Sequence, residues 1–403
     1  MTYNNKYLIR SDAPTMTNYW PRFTRDKFEN SVPPIDYLEW YIPRLQEART
    51  HNLSFSGMQY NWDIQGLLGN KIADIGKQYM ADIEDPRIII SKREGVIPDN
   101  VLITHGATQG INIALLTAIA KIRDKVDGRI VVAAESPTYA PIPQTALILA
   151  DEVIRVDKTP PKSGLGHWRI NYDEWQVAIK KSHIIMITPI SNPSGWDLHP
   201  EDKDWIIKQA QENDVIVIAD EAYNDAYRND KDYRSIHTYG NNCISINSLT
   251  KVYGMGPIRF GWLIADSETI AIARNIFMTF SGVMSSPTMR IAAEALKNLE
   301  IVDQAIEYYR TENLPKLRTV LEKHGIVWNE PDAGVFGCFE LPNNLCSEKF
   351  ADQHCKDNDL LVVPGSMFSD KMKSWVRVAW SIEPESFELA ADALDKSLQS
   401  ALS

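Results

Sequence analysis

The sequence predicts an α/β fold: a mostly parallel sheet covered by helices, with a smaller α+β domain beside it. Three observations lead there. HIIMITPISNPSG, DVIVIADEAY and CISINSLTK are apolar runs that end in polar or Gly/Pro turns, and uninterrupted apolar strands belong in a parallel sheet buried on both faces. Between the first two lies PEDKDWIIKQAQEN, whose acidic first turn and amphipathic stripe read as a crossover helix. The length, 403 residues, exceeds one small domain and gives room for a large core.

In chain order, residues 1–56 are rich in aromatics and proline (Tyr19, Trp20, Pro21, Pro33, Pro34, Tyr37, Trp40, Tyr41, Pro43) and predict an irregular arm with a short helix, joined to the small domain. Residues 57–290 form the predicted large domain. Within it, NVLITHGATQGINIALLTAIAKI is a β-branched run, a glycine turn and a helix with apolar positions at helical spacing. RIVVAAESPTY is the next buried strand, and IRFGWLIAD, close behind CISINSLTK, is a candidate for an antiparallel neighbour. A long helical stretch over about 285–324 holds the domain border. Residues 291–403 then form the small C-terminal domain, with strands near GVFGCFELP and SWVRVAWSI.

Composition narrows the function. Hydrophobic residues are 44% and charged residues 24%, ordinary for a globular chain. The net charge of -11 argues against a general binder of nucleic acid. MTYNNKYLIRSDAPTMTNYW lacks an apolar signal core, and no apolar run reaches about 18 residues, so a cytoplasmic chain without a membrane span is expected. Cys243, Cys338, Cys346 and Cys355 have no CxxC spacing and read as reduced, mostly buried thiols. The histidines show no HxxxH pairing and predict no metal site. His105 and His183 read as structural, with His105 the nearer to the predicted anion turn.

Asn192, Asp220 and Ser248 follow predicted strands at intervals of 28 residues, the length of one strand plus one crossover. Ligands of open α/β sheets bind at the carboxyl ends of the strands. The three polar groups therefore face one crevice, with Lys251 three residues past the last. Singly, each has an ordinary explanation as a turn former, a cap or a surface cation.

In order, GATQG (106–110), SPTY (136–139), NPSG (192–195), DEAY (220–223), SLTKVYGMGPIRFGW (248–262), VPGSMF (363–368) and WVRVAWS (375–381) resemble the fold-type I enzymes of pyridoxal 5′-phosphate (PLP), in particular class I/II aminotransferases. The resemblance spans about residues 57–385. It implies a PLP-dependent transferase fold and a Schiff base between PLP and Lys251, which also becomes the base at the substrate Cα. It implies that Asp220 keeps the pyridine nitrogen protonated, as the cofactor's electron withdrawal requires. Tyr223 and Asn192 would bind the ring's phenolate oxygen, and Tyr139 would stack on the ring. The phosphate would sit at the helix start with Gly106, Ala107 and Thr108, completed by Ser248 and Arg259. Arg377, with Asn192, would hold the substrate α-carboxylate. Tyr60 resembles the tyrosine that a neighbouring subunit lends to the phosphate, although its spacing to Gly66 is about one residue longer than the pattern. Thr250 replaces a common serine and keeps the hydroxyl.

The implied activity is transfer of an amino group between an L-amino acid and a 2-oxo acid in a homodimer, with the aromatic arm covering the pocket. A PLP-dependent lyase, decarboxylase or oxidase remains the alternative, because the cofactor motifs do not decide which Cα bond breaks. A DNA-binding regulator on this fold would need a basic helix-turn-helix, and none precedes residue 57.

Overall fold

The computed structural model describes residues 35–77, 84–126, 128–161, 166–226, 234–331 and 334–403. Tyr19, Trp20, Pro21, Pro33 and Pro34 of the expected arm lie outside the described residues. The arm's short helix is Asp36–Leu45.

The strands are β1 (His51–Asn52), β2 (Val101–Thr104), β3 (Val131–Ser136), β4 (Glu152–Thr159), β5 (His167–Ile170), β6 (Ile184–Ile187), β7 (Asp197–Leu198), β8 (Ile216–Asp220), β9 (Cys243–Ser248), β10 (Gly261–Ile264), β11 (Phe336–Glu340), β12 (Leu360–Leu361), β13 (Val363–Pro364) and β14 (Trp375–Ala379). The main sheet has the order β2-β10-β9-β8-β6-β3-β4-β5-β7. Its centre, β4-β3-β6-β8-β9, is parallel, while β10 runs antiparallel between β9 and β2.

Two-residue periodicity explains why apolar runs make this centre. Ile184, Met186, Ile216 and Ile218 point to a core shared with helices Ala107–Ile122 and Ser267–Ser281. Ile185, Ile187, Val217 and Ala219 point to the opposite core, against Tyr172–Lys181 and Pro200–Glu212. Both faces of β6 and β8 are covered, and these two strands are apolar at every position before Asp220. Helix ends follow the chemistry of their caps: Asp266 accepts the Thr269 amide at 3.0 Å, and Pro200 with Glu201 and Asp202 opens the crossover helix.

The smaller sheet is antiparallel, ordered β11-β14-β13, and β1 pairs with β12 in parallel. Its core joins both chain regions, with Tyr37, Trp40 and Leu53 packed among residues of helices Glu300–Lys323 and Pro384–Leu402. The expected helical stretch over 285–324 is two helices, Ser286–Ala295 and Glu300–Lys323. The second passes from one core (Val302, Ile306, Tyr309) to another (Leu314, Leu317, Leu321). Cys243, Cys338 and Cys355 are buried, whereas Cys346 is exposed.

Candidate active site

β2 ends at Thr104, and Gly106 is the N-cap of the 16-residue helix Ala107–Ile122, with φ 82° and no capping side chain. The first amides of a helix have no partner within it. Those of Ala107 and Thr108 therefore open at the positive end of the dipole, where an anion is favoured. β10 brings the other wall. Gly261 pairs with Thr104 on one side and Ser248 on the other, and a Cβ on it would stand 2.7 Å from the Gly106 carbonyl carbon. Arg259, in left-handed backbone at φ 49°, lays its guanidinium where a Cβ on Gly106 would meet Nη2 at 2.7 Å. Glycine at 106 is required both for its φ and for this approach. Gly106, Ala107, Thr108, Ser248 and Arg259 thus share one corner of the sheet.

Asp220 and Ser248 are the last residues of β8 and β9, and Asn192 lies five past β6. Burial pushes the Asp220 carboxyl up to about 6, against the opposing pull of the Ala222 amide, which donates to Oδ1 at 3.1 Å, and of the Lys251 charge. Lys251 is half-buried and donates to Ser56 Oγ at 2.7 Å. Burial, then the charges of Arg377 and Arg259, bring its amine down to about 8. Tyr139, half-buried beside Thr108, has its phenol pushed up to about 12, first by burial and then by Tyr37 and Asp220.

Arg377 stands on β14, opposite Cys338 and Val363. Its Nη1 donates to Asn192 Oδ1 at 2.7 Å and its Nη2 to the Ser54 carbonyl at 2.6 Å. The Asn192 bond joins the small sheet to the turn after β6, and because Oδ1 accepts, the amide hydrogens of Asn192 stay available to another acceptor. Tyr223 donates its hydroxyl hydrogen to the Ser56 carbonyl at 2.9 Å and packs edge-on against Phe336. Burial pushes its phenol up.

The structure thus gathers Asp220, Lys251, Arg259, Tyr139, Asn192, Tyr223 and Arg377 with the helix turn. Tyr60 packs edge-on against Trp62, and its Cβ borders Gly254, three residues past Lys251. His105 stacks on Phe277, and burial and Arg259 lower its pKa. His183 Nδ1 accepts the Val131 amide at 3.1 Å.

Sequence reasoning missed the strap Ser54–Met58. The strap touches Arg377, Tyr223 and Lys251, and its Met58 amide donates to the Lys251 carbonyl at 2.8 Å. Gly57 is the usable signal, because a Cβ there would lie 2.8 Å from that carbonyl oxygen.

What such a corner can do is limited. Its free helix amides favour an anion, its buried carboxyl has no adjacent cation among the described residues, and its amine is lowered to about 8, an arrangement suited to nucleophilic chemistry on a charged small molecule. Over residues 92–394 the chain matches the family Aminotransferase class I and II, and it belongs to that family, whose members are in general PLP-dependent. An aspartate aminotransferase of Pyrococcus horikoshii is 25% identical over 311 residues, covering 75% of this chain and 76% of that one. An aromatic-amino-acid aminotransferase of Thermococcus litoralis is 26% identical over 322 residues, 76% of this chain and 79% of its own length. A solved PLP-dependent aminotransferase from Streptococcus suis 89-1591 superposes with a TM-score of 0.79 at 20% identity, over 92% of this chain and 98% of that one, which establishes the shared fold. Among the described residues no helix is long and apolar enough to cross a membrane.

Proposed function

We propose that this chain is a PLP-dependent aminotransferase that moves the amino group of an L-amino acid to a 2-oxo acid, with Lys251 as the residue that carries the cofactor. The residues present suit that group. Gly106 leaves a cradle that a side chain would fill, and among the described residues Asp220 is a buried acid without a close cation and Arg377 keeps a buried Nε without an acceptor. PLP, when bound, draws electrons from the bonds at the substrate Cα.

Everything else falls to the chain. The amides of Ala107 and Thr108, with Ser248 and Arg259, hold the phosphate, and Gly106 admits it. Asp220 keeps the ring nitrogen protonated, and a pyridinium against it offsets the burial that raises its pKa. Tyr139 covers the ring face. Asn192 donates to the phenolate oxygen, joined by Tyr223 once its hydroxyl leaves Ser56. Arg377 receives the α-carboxylate. Lys251, its amine lowered to about 8, would take the proton from the substrate Cα and hold it for return. In this reading residues 57–290 are the cofactor-binding domain, with 291–403 and 1–56 forming the smaller one. The chain works as a homodimer of closed two-fold symmetry, in which Tyr60 serves the partner's phosphate.

The observation that carries this is the Lys251 amine, lowered by burial and two arginines and facing Asp220 across the same sheet edge. Holoenzyme mixed with a panel of amino acids, without any oxo acid, is expected to form pyridoxamine phosphate. Ammonia, carbon dioxide or peroxide released instead assigns the lyase, decarboxylase or oxidase reading. In Lys251→Ala, turnover falls at least about 10³-fold and borohydride no longer fixes cofactor to the chain. Persistent fixation in that variant sinks the assignment.

A further inference from the structure

Arg377 is fully enclosed, at 0% exposure, and the way its hydrogens are spent says what must happen when a carboxylate arrives. Nη1 donates to Asn192 at 2.7 Å, while Nη2 donates both to the Ser54 carbonyl at 2.6 Å and to the Tyr37 hydroxyl at 3.4 Å. Nε has no acceptor among the described residues. A guanidinium offers paired hydrogens along two edges, Nη1 with Nη2 and Nη2 with Nε, and a carboxylate gripped by two parallel bonds uses one of them. Both edges include an Nη2 hydrogen. Either bidentate grip must therefore displace Ser54 or Tyr37.

The two are unequal competitors. The Ser54 bond is the shortest Arg377 makes, and its acceptor is backbone. The neighbouring residue also ties that strap to β14, where the Ala379 amide donates to the Leu53 carbonyl at 2.8 Å. The Tyr37 bond is the longest of the three and ends on a side chain. Tyr37 is held by its ring rather than its hydroxyl: it stacks on Tyr41 at 5.3 Å and 13°, meets Phe368 at 5.3 Å, and lies 5.7 Å from the guanidinium carbon. Its helix, Asp36–Leu45, is pinned by two bonds of 2.8 Å from Arg44 to Asp352. The hydroxyl can thus change partners while the ring stays.

We infer that Tyr37 is a further substrate-positioning residue: its hydroxyl caps Arg377 until the substrate α-carboxylate takes that place, and it then donates its own hydrogen to the same carboxylate. The inference rests on the reading of Arg377 as the carboxylate anchor. It adds a third donor beside the paired guanidinium hydrogens, supplied from the helix Asp36–Leu45 rather than from either sheet. It also ties the seating of that helix to substrate binding.

The test separates the carboxylate from the rest of the ligand. Tyr37→Phe holoenzyme is compared with wild type by calorimetric binding of 3-phenylpropionate, which has a carboxylate and no amine, and of 2-phenylethylamine, which has the amine alone. Tyr37→Phe is expected to weaken 3-phenylpropionate roughly tenfold, the loss of one hydrogen bond to a charged group, and to leave 2-phenylethylamine unchanged. With converted amino acids, KM rises by a similar factor and kcat stays within about twofold, as for an interaction shared by ground and transition states. Equal affinity of both proteins for 3-phenylpropionate overturns the inference. So does an equal loss for both ligands, which marks a packing role. If wild type converts no amino acid while Tyr37→Phe still weakens only the carboxylate, the proposed reaction fails and the role of Tyr37 stands.

Discussion

Two buried acids stand near the carboxyl ends of parallel strands in the same sheet, and they are treated oppositely. Glu135, next to last in β3, accepts the Thr188 amide at 2.8 Å and has the Lys158 ammonium at 2.8 Å, both side chains at 0% exposure. Asp220, last in β8, accepts only the Ala222 amide at 3.1 Å among the described residues, and Lys251 acts on it from a distance. Burial pushes both carboxyls up, but at Glu135 the adjacent ammonium pulls back directly. A buried acid with its own cation belongs to the architecture. One without an adjacent cation among the described residues fits the proposed role of pairing with a cation that a ligand brings.

Breaking the first pair is expected to have the largest effect on stability. Lys158→Met removes the ammonium that lies 2.8 Å from Glu135 and 5.2 Å from the Trp168 ring centroid, and leaves Glu135 enclosed without its partner. Removing one member of a buried pair costs about 3–5 kcal/mol, read as a lower urea midpoint. The double variant Glu135→Leu with Lys158→Met recovers most of it, because no lone charge remains. Asp220→Asn should do the reverse. With no partner orphaned, cofactor-free protein at pH 7 gains roughly 1–2 kcal/mol, while kcat of the loaded enzyme falls on the order of 10²-fold. Equal destabilisation by Lys158→Met and Asp220→Asn erases the contrast.

The same contrast marks what the sequence could disclose. Asp220 ends an uninterrupted apolar run, and Ser248 and Lys251 end or follow the strand CISINS, so strand direction alone brought them to one edge, and the closeness of IRFGWLIAD to CISINSLTK pointed to the antiparallel β10. Lys158 was invisible. EVIRVDKT mixes charge with apolar residues and reads as a half-solvated strand, and only Trp168 from the next strand and Glu135 from the previous one enclose it. Tyr37 and Ser56 escaped for another reason: the arm has no periodicity, and its place is set by β1 pairing with β12, His51 against Leu360. The Arg377 to Asn192 bond spans 185 positions, which no local pattern encodes. The break between helices Ser286–Ala295 and Glu300–Lys323 was hidden because Leu296 and Leu299 are apolar and continue the helical pattern while packing as a turn.

A smaller effect sharpens the comparison through pH. The Asp220 carboxyl is raised from 3.8 to about 6 in the folded chain. Protons therefore favour folding: the contribution of Asp220 is present in full below pH 3.8 and is lost as pH rises through about 6. The full shift corresponds to about 3 kcal/mol, and relaxation around a buried charge reduces it to roughly 1–2 kcal/mol. Lys251, lowered from 10.5 to about 8, has the opposite sign of slope, since the unfolded chain binds more protons between those values and stability rises with pH across them. Urea unfolding of cofactor-free wild type minus Asp220→Asn, between pH 3.5 and 7, isolates the first slope from every other titrating group. Saturation with PLP should flatten or invert that difference, because a pyridinium held against the carboxylate favours its charged form and removes the reason for its raised pKa. If the difference keeps its slope with PLP bound, the cation that Asp220 lacks is not the one this cofactor supplies.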